Sequence, residues 1–387
     1  MNKLSQLDIN NKNLVIRVDM NVPIIDGRVA DDTRIQACLP TIKKSLNSGA
    51  KILLVSHLGR PVEGSFDNNL SLRPVADHLS KILDLKVGLI SEPSNSSIFN
   101  GSSDVQMLEN VRFFAGEKVN DIELGKSLGC LGDIYVFDAF GTSHREQAST
   151  HAAIVYASIA CAGLLLEEEI KSLTKALNQS KNPYTAIIGG AKVSTKLDLI
   201  KNINAKADHV IVGGGIANTF IKAAGFEVGQ SLYEESMIDT AKELLKSNKI
   251  VLPQTVVTAL SFEGESIKEK NINDVEQKEM ILDQYMDDEI KEIIANSNTI
   301  LWNGPLGVFE KEDFSKGTLE LAKVIANSNG FSIAGGGETL SAINKFINKD
   351  DVSYCSTGGG AFLEFMEGKE LPSINCLLYT SPSPRDS

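Results

Sequence analysis

A chain of 387 residues that is 42% hydrophobic and 23% charged is too long for one ordinary core and too apolar for disorder, so it reads as two globular domains. Its net charge of −12 argues against nucleic acid or an anionic membrane as partner, while leaving room for a local basic cluster that holds a small anion. The scattered cysteines, Cys38, Cys130, Cys161, Cys355 and Cys376, form no C-x-x-C pair, which disfavours a disulfide framework or a zinc site and fits a reducing cytosol. Residues 1–8 show no apolar signal region, and no run approaches the ~20 apolar residues of a membrane span. A cytoplasmic chain is expected.

In chain order, apolar runs at 14–18, 52–55, 105–108 and 134–137 alternate with helix-compatible stretches at 33–47 and 72–83. Further runs at 185–188, 210–212, 250–252, 299–302, 331–334 and 352–354 alternate with stretches at 195–202, 234–247, 287–295 and 315–326. Alternating strand and helix signals predict an α/β fold, with parallel sheets flanked by helices. Between the two groups, 163–179 carries Glu167, Glu168 and Glu169 ahead of Lys171 and Lys175. It reads either as a charged connecting helix or as a plain surface helix. We place the domains at 1–165 and 166–365.

Ligands of open α/β sheets bind beyond the carboxyl ends of the strands. In the first half those ends lead to Asp19, Met20 and Asn21; to Ser56, His57, Leu58, Gly59 and Arg60; to Glu109, Asn110, Val111 and Arg112; and to Asp138, Gly141, His144 and Arg145. Arg34 opens the helix after the first run. Arginine presents a planar fork suited to phosphate or carboxylate. Its repeated placement at strand ends points to an anion site rather than to solvated loops.

The second half has glycine turns at the same places: Gly189-Gly190, Gly213-Gly214-Gly215, Asn303-Gly304-Pro305, Gly335-Gly336-Gly337 and Gly358-Gly359-Gly360. Such turns suit a nucleotide, whose phosphates take backbone N–H donors, or they serve close packing at strand–helix turns. After Gly190, a helix-compatible run places Lys192 and Lys196 at i,i+4 on one face. That stretch is either a phosphate-holding wall or a tight turn with two solvated lysines. No G-x-x-x-x-G-K-[ST], G-x-G-x-x-G in a dinucleotide setting, G-x-S-x-G or H-E-x-x-H occurs, which removes the P-loop, dinucleotide, serine-hydrolase and zincin readings. His57 and His144 read as anion donors more simply than as bases. His78, His151 and His209 read as structural, and Trp302 as a core or inter-domain residue.

Taken together, R-V-D-M-N-V-P (17–23), S-H-L-G-R-P (56–61), L-E-N-V-R-F (108–113), D-A-F-G-T-S-H-R (138–145), G-G-A-K-V-S-T-K (189–196), I-V-G-G-G-I-A-N-T-F (211–220), L-W-N-G-P-L-G-V-F-E (301–310), A-G-G-G-E-T-L (334–340) and S-T-G-G-G-A-F-L-E (356–364) resemble phosphoglycerate kinase over residues 5–372. The resemblance implies two Rossmann-like domains facing each other across a cleft, one for the phosphoglycerate and one for Mg-ADP or Mg-ATP. It implies reversible transfer of the acyl phosphate of 1,3-bisphosphoglycerate to ADP, giving 3-phosphoglycerate and ATP in glycolysis. The chemistry asks for direct in-line transfer, and two half-sites on separate domains suggest closure over both substrates, with a hinge expected in or near 163–179. The resemblance also implies a monomer with small-molecule substrates only.

Residue by residue, the resemblance assigns the phosphoglycerate to Asp19, Asn21, Arg34, His57, Leu58, Gly59, Arg60, Arg112 and Arg145, with His144 as a further candidate. It assigns the nucleotide to Gly190, Lys196, Gly214, Gly215, Asn303, Gly304, Glu310, Gly336, Gly337, Glu338 and Thr339. Arg34, Lys192, Lys196, Gly359 and Gly360 fall around the transferring phosphoryl group. Mg²⁺ falls to Glu338, which stands where the family usually has Asp.

A second departure is P-Q-T-V-V-T (253–258), which lacks the acidic residue common there. The third is the ending after Pro372, N-C-L-L-Y-T-S-P-S-P-R-D-S from 375. The family tail, from about 366, returns to the first domain, whereas this Ser/Pro-rich composition predicts a disordered tail. The alternative to an active kinase is a catalytically impaired nucleotide-binding homologue.

Overall fold

In the computed structural model, which describes residues 1–93, 98–101 and 103–379, β1 (Asn13–Val18) is buried at every position after its first. A strand without polar alternation needs cover on both faces, and the chain supplies it with helices. The unit comprising Met1–Ile170 and the residues from Glu370 to Tyr379 contains the hairpin β2 (Ile24–Ile25) and β3 (Arg28–Val29), then β4 (Lys51–Val55), β5 (Val87–Ile90), β6 (Val105–Leu108), β7 (Ile134–Asp138) and β8 (Ala160–Ala162). Its helices are α1 (Thr33–Asn47), α2 (Arg73–Leu83), α3 (Ile122–Gly129), α4 (Ala153–Tyr156) and the start of α5 (Leu164–Leu177). The sheet is parallel in the order β5-β6-β4-β1-β7-β8.

On one face of β1, Leu14, Ile16 and Val18 pack with Ile35, Cys38 and Ile42 of α1. Each fully buried aliphatic side chain contributes roughly 1.5–3 kcal/mol. The opposite face carries Val15 and Arg17, both fully buried. Asp138, at the end of β7, is spent on structure. It accepts from Thr41 Oγ1 at 2.5 Å and from Leu166 N–H at 3.0 Å, joining α1 to the first turn of α5. Burial pushes its carboxyl up to about 6.

The other unit, Lys171–Lys369, repeats the plan. It holds β9 (Tyr184–Gly189), β10 (His209–Gly213), β11 (Ile250–Val251), β12 (Thr255–Ala259), β13 (Lys268–Asn271), β14 (Met280–Gln284), β15 (Thr299–Asn303), β16 (Phe331–Ala334) and β17 (Tyr354–Cys355). Its helices after α5 are α6 (Val193–Lys206), α7 (Gly214–Ala223), α8 (Ile238–Leu245), α9 (Asp288–Ala295), α10 (Lys316–Ala326), α11 (Gly337–Phe346) and α12 (Gly360–Met366). The main sheet is parallel in the order β11-β10-β9-β15-β16-β17. Trp302 is fully buried in its core. A separate antiparallel sheet, β13-β12-β14, was not expected. Its edge strand K-E-K-N is largely exposed and carries no apolar signal.

The expected disordered tail is corrected in part. Pro372–Tyr379 forms a helix, α13, that buries Ser373, Ile374, Cys376 and Leu377, and Ser373 N–H donates to Ser143 O at 3.2 Å within the first unit. A composition averaged over the Ser/Pro-rich ending hid these apolar residues. Residues 380–387 lie outside the described residues.

Candidate active site

In the first unit, the loops leaving β1, β4 and β6 are laced together by their own polar groups. Asn21 Oδ1 accepts from Gly59 N–H at 2.9 Å, and Met20 N–H donates to Ser56 Oγ at 3.0 Å. Asn110 donates to Leu58 O at 2.7 Å and accepts from Leu58 N–H at 3.2 Å. The lacing fixes the loops so that the side chains they carry converge. Arg34, in the first turn of α1, places Nη1 at 3.2 Å from both Asp19 Oδ1 and Asn21 O. Arg112 is 6% exposed and donates to Gly59 O at 2.6 Å.

His57 is buried, and burial together with the surrounding Arg17, Arg112, Arg34 and Arg145 holds its imidazole well below the usual histidine range. It is therefore neutral at pH 7. Burial, then the charges of Arg145 and Arg17, pulls Arg112 down to about 10. Guanidinium groups this close repel one another until an anion joins them. Arg60 and Arg145 are exposed and Leu58 is buried. His144 is half-buried.

Arg17 escaped the sequence reading. It opens the motif at 17–23, yet a lone polar residue inside a strand carries no functional signal. It lies fully buried, with Nη2 at 3.3 Å from His57 Nδ1.

In the second unit, the glycine turns pack against one another. A Cβ on Gly189 would stand 1.9 Å from Pro305 O, and one on Gly215 would stand 2.2 Å from Ala191 O. Asn303 Nδ2 donates to Gly335 O at 2.8 Å, and Gly304 N–H donates to Thr339 Oγ1 at 2.8 Å. Close packing thus accounts for several of these residues. By contrast Gly337, at the first position of α11, has open space where a Cβ would lie, as does Gly359, the residue before α12. Gly336, at φ +97°, turns the chain into α11.

The shared helix face for Lys192 and Lys196 is corrected. The helix begins at Val193, and Lys192 is the extended residue before it, exposed to solvent. Lys196 folds back so that Nζ donates to Gly189 O. Burial pulls its ammonium down to about 8, against an opposing effect of Glu338. The start of α6 already holds an anion, because Glu234 accepts from Ser194 N–H at 2.9 Å and from the Ser194 hydroxyl.

A cavity of about 670 Å³ opens beside these turns. Gly190, Gly214, Gly215, Glu310 and Glu338 line it, whereas Lys196, Asn303, Gly304, Gly336, Gly337 and Thr339 do not. Its apolar wall is Leu232, Tyr233, Phe262, Met280, Ile281, Leu282, Leu306 and Val308. Sequence reasoning missed most of that wall, since it comes from the small sheet and from loops with no motif. Among the described residues no three metal-ligating side chains cluster. Mg²⁺ does not require such a cluster, being held by one or two carboxylates plus substrate phosphates rather than by a protein cage. Glu338, exposed in the first turn of α11 at the cavity, is a carboxylate of that kind.

A sequence profile described as phosphoglycerate kinase matches residues 4–369. The chain belongs to the phosphoglycerate kinase family. It is 50% identical over 378 residues to the phosphoglycerate kinase of Vibrio campbellii, covering 97% of this chain and 98% of that protein. To the phosphoglycerate kinase of Francisella philomiragia it is 49% identical over 382 residues, covering 97% of each. The structure of phosphoglycerate kinase from Coxiella burnetii superposes with a TM-score of 0.91 at 44% identity, covering 98% of this chain and 99% of that one. The enzyme from Pyrococcus horikoshii gives 0.81 at 33% identity, covering 98% of each chain. Relatives of near-equal length that bear the kinase name support an active phosphoglycerate kinase over an impaired homologue. No helix among the described residues is long and apolar enough to cross a membrane.

Proposed function

We propose that this phosphoglycerate kinase binds its phosphoglycerate on the arginine-rich loops of the first unit and its nucleotide in the apolar cavity of the second. It transfers the acyl phosphate of 1,3-bisphosphoglycerate to ADP, reversibly and without a covalent enzyme intermediate. The observation that carries this reading is the gathering of Arg17, Arg34, Arg112 and Arg145 around the buried His57 in a chain of net charge −12. A phosphate and a carboxylate on one small molecule are the anions such a group accepts.

In the ATP-consuming direction the nucleophile is already a carboxylate, so no general base is needed, and a histidine held neutral by arginines acts as a donor. Catalysis then rests on position and charge. Arg34, fixed by Asp19 and Asn21, meets the reacting end of the phosphoglycerate. Arg60, Arg112, Arg145 and His144 complete the anion site, with Leu58 and Gly59 supplying its backbone. Lys196 and Lys192 meet the nucleotide phosphates and the transferring group, helped by N–H groups at Gly336–Thr339 and at Gly359 and Gly360. Gly190, Gly214, Gly215, Asn303 and Gly304 shape the nucleotide wall, and Glu310 stands at its rim. Glu338 would hold Mg²⁺, which neutralises phosphate charge when bound. Closure over both substrates belongs to the same proposal, as do a monomeric state and a cytoplasmic location. Small-angle scattering that showed no compaction with both substrates bound would remove the closure.

The test is a coupled assay with ADP and 1,3-bisphosphoglycerate. ATP formation is expected. Binding of both ligands with no ATP formed would overturn the kinase reading.

A further inference from the structure

Beneath the anion site lies a buried chain of polar groups that ends on His57, and the mechanism above gives no part to its first two members, Glu117 and Ser149. Glu117 is fully buried, in the loop that follows the Val111–Phe113 turn. Its carboxylate accepts from Ser149 N–H at 2.9 Å and from Ser149 Oγ–H at 2.5 Å. Ser149 Oγ in turn accepts from Arg17 Nε–H at 2.9 Å. Arg17 Nη1 is taken by Val18 O, which leaves Nη2 facing His57 Nδ1 at 3.3 Å. All four side chains are buried, and Tyr135 Oη–H closes the far side by donating to Ser149 O at 2.6 Å.

The direction of the Arg17 hydrogen bonds is fixed by chemistry. A guanidinium has donors and no acceptor. The contact between Arg17 and His57 therefore requires a lone pair on Nδ1, and the imidazole proton sits on Nε2. Ser149 offers an oxygen lone pair to Arg17 while its own proton points at the Glu117 carboxylate. Glu117 thus sets the orientation of the hydroxyl, the hydroxyl anchors the guanidinium, and the guanidinium selects the tautomer. Burial pushes the Glu117 carboxyl up, while the charge of Arg17 and the two Ser149 hydrogen bonds pull it back.

We propose that Glu117 is a positioning residue for phosphoglycerate recognition: through Ser149 and Arg17 it holds His57 in the tautomer that offers Nε2–H to the substrate anion. The proposal rests on the assignment of the phosphoglycerate to these loops. A neutral imidazole with its proton on Nε2 adds a donor to the arginine group without adding a further repelling charge. With its proton on Nδ1 the same ring would turn a lone pair toward the substrate and lose its contact with Arg17.

The test uses the full chain and two readouts. The first is the ¹⁵N spectrum of the histidine side chains without ligand, which separates a protonated from an unprotonated ring nitrogen. The second is the KM for 3-phosphoglycerate and for MgATP in the coupled assay. Wild type should show His57 unprotonated at Nδ1 and protonated at Nε2. Glu117→Gln should mix the tautomers and raise the KM for 3-phosphoglycerate roughly 3–10-fold, with the KM for MgATP unchanged. Ser149→Ala breaks the same relay while keeping the buried charges, and it carries the test if Glu117→Gln does not fold. A wild-type His57 protonated at Nδ1 overturns the proposal, as does a variant with mixed tautomers and an unchanged KM for 3-phosphoglycerate. If wild type holds the Nε2–H tautomer yet binds no 3-phosphoglycerate, the site assignment fails while the relay stands.

Discussion

The two units build opposite kinds of loop on the same strand–helix plan. In the first, the loops beyond the strands are tied by Asn21, Ser56 and Asn110, and charged side chains project from them. In the second, the corresponding loops are glycine turns packed backbone to backbone, and the cavity beside them is walled by apolar residues. On the proposed assignment of one ligand to each unit, the difference follows ligand chemistry. A small molecule with a carboxylate and a phosphate offers little to bury and is gripped by forked cations. A nucleotide offers a base for an apolar slot and phosphates for helix N-termini. Substitutions in the first unit should therefore act on binding and turnover, and those in the second on local packing as well.

The largest effect is expected from Arg34→Ala. With Asp19 and Asn21 holding the guanidinium in place, its loss should lower kcat by about 10²–10³ with little change in KM. A change confined to KM would reassign Arg34 to ground-state binding. Next, Arg112→Ala should raise the KM for 3-phosphoglycerate roughly 10–100-fold and leave that for MgATP alone, as measured by steady-state kinetics. Gly215→Ala forces a methyl to within 2.2 Å of Ala191 O and should cost about 1–3 kcal/mol of stability, read by urea unfolding. An unchanged midpoint would mean that the turn is looser than described.

The smallest effect is a fraction of a proton. Burial lowers the Lys196 ammonium to about 8, below the ordinary lysine range, so the free protein holds it partly deprotonated near pH 8. A bound polyphosphate favours the charged form and raises that value. Nucleotide binding should thus take up about half a proton at pH 8 and almost none at pH 6.5. Calorimetry in buffers of different ionisation enthalpy measures this, and Lys196→Met should abolish it.

Much of the plan is legible in the chain. All six strands of the second main sheet, and β1, β4, β6 and β7 of the first, follow from apolar runs without polar alternation, whereas the short β5 and β8 carry no such run; α1 follows the stretch read at 33–47. Motif spacing could not show what depends on contact between distant segments. Arg17 reads as one polar residue inside a strand, and only the segment at Ser149 reveals that it is buried and partnered. Glu117 sits in an unremarkable loop. The sequence placed Lys192 and Lys196 on one helix face, but the helix starts one residue too late for that. Terminal positions of a helix depend on capping, here by Glu234 from 40 residues further along the chain, which no local pattern reports. The small antiparallel sheet and the apolar cavity wall it helps build escaped for the same reason.

The division of labour between the units is tested most directly by calorimetric titration of the full chain with 3-phosphoglycerate and with Mg-ADP, each alone. Wild type, Arg112→Ala and Leu306→Trp, which fills the apolar cavity, are compared. Arg112→Ala is predicted to weaken 3-phosphoglycerate by about tenfold or more while Mg-ADP binds as in wild type, and Leu306→Trp is predicted to do the reverse. Equal weakening of both ligands by either substitution would contradict the assignment of one ligand to each unit.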